Sequence, residues 1–115
     1  MQGGLPQKTL AYAFNNRALA FVAKGDFDRA IADFTDAIRL APDFAHALYN
    51  RGATYQARGD YEHAIADYTE AIRLDPTYTR AYKNRGLAYQ AKGDYAHANA
   101  DLKEASRLTS TAPRK

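Results

Sequence analysis

Three histidines, His46, His63 and His97, are the side chains of this 115-residue chain best suited to moving a proton or holding a transition metal. Their spacing argues against both. His63 and His97 stand at equivalent places in a recurring pattern, one helix pair apart, so helix diameter alone separates their rings by about 10 Å or more. Zinc needs ligands that converge at about 2 Å, and these imidazoles are expected to face solvent singly instead. The carboxylates offer no better pair. Asp33, Asp67 and Asp101 recur one per repeat and are not paired for acid–base work. With no cysteine there is no thiolate nucleophile, thiolate metal site or disulfide framework. No Gly-rich phosphate loop occurs either. No enzymatic activity, metal or other cofactor is expected.

What the chain does repeat is structural. Lys24-Gly25-Asp26-Phe27 returns as Arg58-Gly59-Asp60-Tyr61 and as Lys92-Gly93-Asp94-Tyr95, a period of 34 residues. The same shift superimposes Ala30, Ala64 and Ala98, then Ala37, Ala71 and Ala105, then Leu40, Leu74 and Leu108. Each period holds two helical patterns. In the second, Ala47, Leu48, Gly52 and Tyr55 mark one, and Ala64, Ile65, Tyr68, Ala71 and Ile72 mark the other. Gly25, Gly59 and Gly93 fall where the first helix must end in a left-handed residue, and Asp26, Asp60 and Asp94 then cap the second. Pro42 and Pro76 stop the second helices. Thr9, Asp43 and Thr77 are expected as N-caps of the first helices, which leaves residues 1–8 as a tail and residues 113–115 as another. A helix-turn-helix of this size cannot bury its apolar face alone, so stacked copies must supply one another's core.

The net charge of +3 is unevenly placed: residues 11–44 carry −1, residues 45–78 carry −2 and residues 79–112 carry +3, with Lys8, Arg114 and Lys115 adding the rest. That basic patch is small and lacks a dedicated reading helix, so nucleic acid is not an expected partner. No stretch approaches the roughly 20 apolar residues of a membrane span, and Met1 to Pro6 lacks the regions of a signal peptide. No membrane association is expected, and the cytoplasm is the expected compartment.

The pattern resembles the tetratricopeptide repeat, with three copies at residues 11–44, 45–78 and 79–112, inside a domain covering residues 9–112. The family's small residue at position 8 is Ala18, Gly52 and Gly86, and its aromatic at position 11 is Phe21, Tyr55 and Tyr89. The alanine at position 20 is Ala30, Ala64 and Ala98. The aromatic at position 24 is Phe34, Tyr68 and, as a departure, Leu102. The proline at position 32 is Pro42, Pro76 and, again departing, Ser110. Phe14, Leu48 and Tyr82 stand at the usual tryptophan position. The resemblance implies an all-α, right-handed solenoid of six helices and a non-catalytic module for protein–protein interaction.

It also implies a concave groove, formed by the first helices, that receives an extended peptide or partner protein. The groove positions of the family are here Tyr12, Asn15, Asn16, Leu19, Val22 and Ala23, then His46, Tyr49, Asn50, Ala53, Gln56 and Ala57, then Arg80, Lys83, Asn84, Leu87, Gln90 and Ala91. Asn16, Asn50 and Asn84 recur. Two readings of them stand: amides that grip a peptide main chain, or repeated packing chemistry. For Arg17, Arg51 and Arg85, internal pairing with Asp33, Asp67 and Asp101 is the favoured reading. One subclass of the family clamps a chaperone's terminal carboxylate through positions equivalent to Asn15, Leu19, Asn50, Arg80 and Asn84. Only Asn50 and Arg80 fit, so a looser hold on an acidic or C-terminal segment by Arg80 and Lys83 is expected instead.

The third repeat differs in one more way. Ile31 and Ile65 become Asn99, and Ile38 and Ile72 become Ser106, which reads as a polar cap on the end of the stack. No separate capping helix follows, so Tyr95, Leu102 and Leu108 are expected to leave an apolar strip partly exposed. Such a strip favours self-association, and end-to-end stacking into a scaffold is the alternative to peptide binding.

Overall fold

The closest approach between the helices of each pair is governed by three small residues, Ala18, Gly52 and Gly86. The computed structural model describes residues 6–110, so the expected tail at 113–115 and most of that at 1–8 lie outside the described residues. The described chain is six helices in three antiparallel pairs: α1 (Gln7–Ala23) with α2 (Phe27–Leu40), α3 (Ala45–Ala57) with α4 (Tyr61–Leu74), and α5 (Thr79–Ala91) with α6 (Tyr95–Thr109). No strand occurs among the described residues. A β-carbon added at Gly52 would sit 2.9 Å from Tyr68 Cε1 and 3.3 Å from the carbonyl oxygen of Ala64; at Gly86 it would meet Leu102 Cγ at 3.0 Å. Ala18, packed with Ala30 and Phe34, is the one crossing that carries a methyl.

The turns inside the pairs follow their sequence. Gly25, Gly59 and Gly93 have φ of 77°, 82° and 82°, the left-handed region that a β-carbon disfavours. The side chains of Asp26, Asp60 and Asp94 then accept the N–H of Arg29, His63 and His97 at the starts of α2, α4 and α6.

The expected caps of the first helices do not form. Helix α1 begins at Gln7, ahead of Thr9, because the Pro6 carbonyl already accepts the Leu10 N–H at 3.0 Å. Residues 7 and 8 thus belong to the helix and not to a tail. At α3 and α5 the capping positions are Phe44 and Tyr78, neither of which makes a side-chain cap. Thr77 is spent elsewhere, its N–H and hydroxyl both donating to Asp75 Oδ1. An aromatic ring that packs between repeats is worth more at that position than one hydrogen bond.

The core is built mostly of alanines, with Phe34 and Tyr68 its largest fully buried side chains. Successive pairs join where Ala37, Ala41 and Ile38 meet Ala47 and Phe44, and where Tyr68 and Ile72 meet Ala81 and Tyr78. An ionic tie accompanies the packing. Arg17, Arg51 and Arg85 each grip their own pair's Asp33, Asp67 or Asp101 with two hydrogen bonds of 2.7–2.9 Å. Arg51 and Arg85 reach further, donating to Thr35 and Thr69 of the preceding repeat. At the C-terminal end Asn99 and Ser106 are exposed, Tyr95 is exposed, and Leu102 and Leu108 are half-buried. No helix of the described residues is long and apolar enough to cross a membrane.

Two substitutions test this account. Gly52→Ala raises helix propensity by up to about 1 kcal/mol, yet is expected to destabilise by a net 1 kcal/mol or so because Tyr68 must move; an unchanged urea midpoint removes the crossing constraint. Asp67→Ala strands a largely buried guanidinium and is expected to cost about 2–3 kcal/mol. Asp33→Ala is expected to cost less, since the Arg17 side chain is 63% exposed against 19% for Arg51.

Candidate functional site

Curvature follows from which helices touch. Helix α1 meets α3 and α3 meets α5, whereas α2, α4 and α6 do not approach one another. The stack therefore closes on the side of the first helices and fans on the side of the second, which makes the α1–α3–α5 face concave.

Every residue expected to line that face lies on α1, α3 or α5, but the side chains divide into two groups. One group is spent on holding adjacent first helices together. Asn50 donates through Nδ2 to Asn15 Oδ1 at 3.1 Å, and the two side chains are 8% and 4% exposed. One repeat on, Asn84 donates in the same way to the Tyr49 hydroxyl at 2.9 Å. Packing thus accounts for an N–H of Asn50 and of Asn84, while Asn16, with no repeat before it in the described chain, is exposed. Gln56 joins the same layer, accepting from the Tyr68 hydroxyl at 2.7 Å.

The other group faces outward. Tyr12, Leu19, His46, Arg80, Lys83 and Leu87 are all exposed. Tyr12 meets Phe44 edge to face at 5.1 Å between ring centres. One repeat on, Tyr49 is half-buried, stacked on Tyr78 at 5.1 Å, with the Arg80 guanidinium 5.0 Å from its ring centre. His46 lies nearly parallel to Tyr49, and its Nδ1 is 2.9 Å from the Tyr78 hydroxyl. Phe44 and Tyr78 had not been expected at this surface. The signal for them was available: two aromatics 34 residues apart, each immediately before a first helix.

The electrostatics of the face are one-sided. None of the chain's 13 acidic residues lies in α1, α3 or α5; all stand in the second helices or the connecting turns. Among the described residues, Arg80 is the single arginine without a carboxylate partner, and Lys83 has none either. Desolvation, and then the nearby positive charge of Arg80, hold the His46 imidazole below its ordinary range. Burial pushes the Tyr68 hydroxyl well above its own. His63 and His97 instead stack on Tyr55 and Tyr89 and bond to Asp60 and Asp94 at the turns, away from the concave face. No cluster of three or more metal-ligating side chains occurs among the described residues.

The comparisons with known proteins agree with this geometry. A tetratricopeptide repeat profile matches residues 15–79 and again 52–113, and the chain belongs to the tetratricopeptide repeat family, a family of protein-interaction modules. Among solved structures, the second tetratricopeptide domain of Spaghetti (RPAP3), bound to the HSP90 peptide SRMEEVD, is 32% identical with a TM-score of 0.85; the match covers 88% of this chain and 94% of that one. A complex of the TPR2B domain of yeast Sti1 with pHsp70 is 29% identical, with a TM-score of 0.87 over 90% of this chain and 83% of that one. MamA is 31% identical with a TM-score of 0.85 over 89% of this chain, which spans 60% of the MamA chain. No curated protein matches the sequence.

The lowered affinity of His46 for a proton sets a pH dependence. The unfolded chain binds this proton at higher pH than the folded one, so the stability it contributes is complete above about pH 6.5 and is lost as pH falls below that. His46→Gln is expected to flatten part of the decline in urea midpoint between neutral and mildly acid pH. Identical slopes for the two proteins would show that His46 is not desolvated.

Proposed function

We propose that this chain is a non-catalytic adaptor that captures an extended, acidic peptide segment along the concave face of α1, α3 and α5. The observation that carries this reading is the charge segregation. A surface with no carboxylate of its own, and with Arg80 and Lys83 unpaired, attracts negative charge and repels a basic ligand. Exposed Tyr12, Leu19 and Leu87 add apolar contact for side chains that alternate along an extended strand. The ligand of the Spaghetti domain, SRMEEVD, is of this acidic class and supports the reading. The hold differs in detail from a fixed carboxylate clamp: Leu19 can make no hydrogen bond, and Asn15 and Asn50 bind each other. Recognition here rests on Arg80 and Lys83, with Tyr49 and Tyr78 as a stacking floor beneath Arg80.

The test is fluorescence anisotropy with labelled SRMEEVD and its neutral counterpart SRMQQVN. The acidic peptide is expected to bind more tightly, with an affinity that weakens as salt is added. Arg80→Glu with Lys83→Glu should cut that affinity by about tenfold or more and flatten the salt dependence. Equal binding by the double variant at low ionic strength overturns the proposal.

A further inference from the structure

The two ends of the stack are not equivalent, and the interior joints show what each end lacks. At both interior joints the same contacts recur. An alanine of the incoming first helix, Ala47 or Ala81, is fully buried, and the adjacent Arg51 or Arg85 donates through Nη1 to a threonine of the preceding second helix, at 3.0 and 3.1 Å. The equivalents on α1 are Ala13 and Arg17. Ala13 is exposed, and among the described residues Arg17 bonds only to Asp33, through Nε and Nη2. Leu10 and Phe14 flank them beside a depression of about 240 Å³. This is one half of such a joint, and among the described residues nothing fills the other half.

The other end is shaped differently. The place of Thr35 and Thr69 is taken on α6 by Lys103, while the flanking isoleucines are replaced by Asn99 and Ser106. A second copy stacked in the interior register would bring its Arg17 against Lys103. The guanidinium, still paired with Asp33, would find no hydroxyl for its Nη1 and would face a like charge, with no carboxylate on α1 to offset it.

We propose that the outer face of α1 is the receiving half of an inter-repeat joint. Its occupant is the second helix of a helix pair that presents a hydroxyl where α2 and α4 present Thr35 and Thr69, and Lys103 bars the chain's own α6 from that place. The partner that fits is therefore another repeat-type helix pair of neutral or acidic end face, and head-to-tail polymerisation of identical copies is prevented. This surface is separate from the concave face, so loss of peptide binding leaves the inference untouched.

The probe is a copy of the chain carrying Asn99→Ile, Lys103→Thr and Ser106→Ile, which restore an interior-type end, and Ala13→Arg, which blocks its own receiving face. All four positions are exposed, and a cooperative thermal transition by circular dichroism checks the fold. In sedimentation velocity the wild-type chain alone is expected to remain monomeric, and wild type mixed with the probe to form a one-to-one complex. A matched probe that keeps Lys103 is expected to bind at least about tenfold more weakly, with the gap narrowing as salt rises. As a second variant, Lys103→Thr alone, altering one exposed residue, is expected to self-associate more strongly than wild type. Head-to-tail oligomers of the wild-type chain, equal binding by the two probes, or no complex with either would each overturn the inference.

Discussion

The width of one methyl group at the helix crossings is the constraint on which the rest of the structure depends. Where Gly52 meets Tyr68 and Gly86 meets Leu102, there is no room for a β-carbon without displacing a side chain. Close axes at these points place the alanines of facing helices in contact, and so allow a chain with few large buried residues to form a closely packed interior. The same closeness brings Arg51 within reach of both Asp67 and Thr35. Packing inside one pair and registry with the next are thus consequences of the same small residues.

Charge is sorted along with shape. The second helices hold carboxylates that neutralise the arginines of the first, and this leaves the first helices without a negative group. Among the described residues Arg80 has no carboxylate partner: it sits one position in from the start of α5, with its guanidinium over the Tyr49 ring. A binding preference therefore arises from residues whose partners were assigned to the scaffold, and it required no special loop or cofactor.

Much of this was legible in the chain before any coordinates. The 34-residue period, the left-handed glycines, the aspartate caps and the arginine–aspartate pairs are all local or repeated, and repetition makes a long-range contact readable as a spacing. The starts of the first helices were misread, because Thr9, Asp43 and Thr77 have the chemistry of caps while the structure uses those junctions to seat Phe44 and Tyr78. The roles of the asparagines could not be divided by spacing. Asn50 lies opposite an asparagine and Asn84 opposite a tyrosine, and that pairing is set by how far one repeat rotates on the next. The exposed set of Tyr12, Leu19, Arg80, Lys83 and Leu87 was nameable only through the family pattern, since no period in the sequence separates a solvent-facing position from a ligand-facing one.

The separation of α2, α4 and α6 from one another has a mechanical meaning. Like the leaves of a fan pinned along one edge, the pairs stand apart on the convex side while the amide and tyrosine bonds join them along the inner edge. A bound segment that spans all three first helices would run along that joined edge and tie the three pairs together a second time.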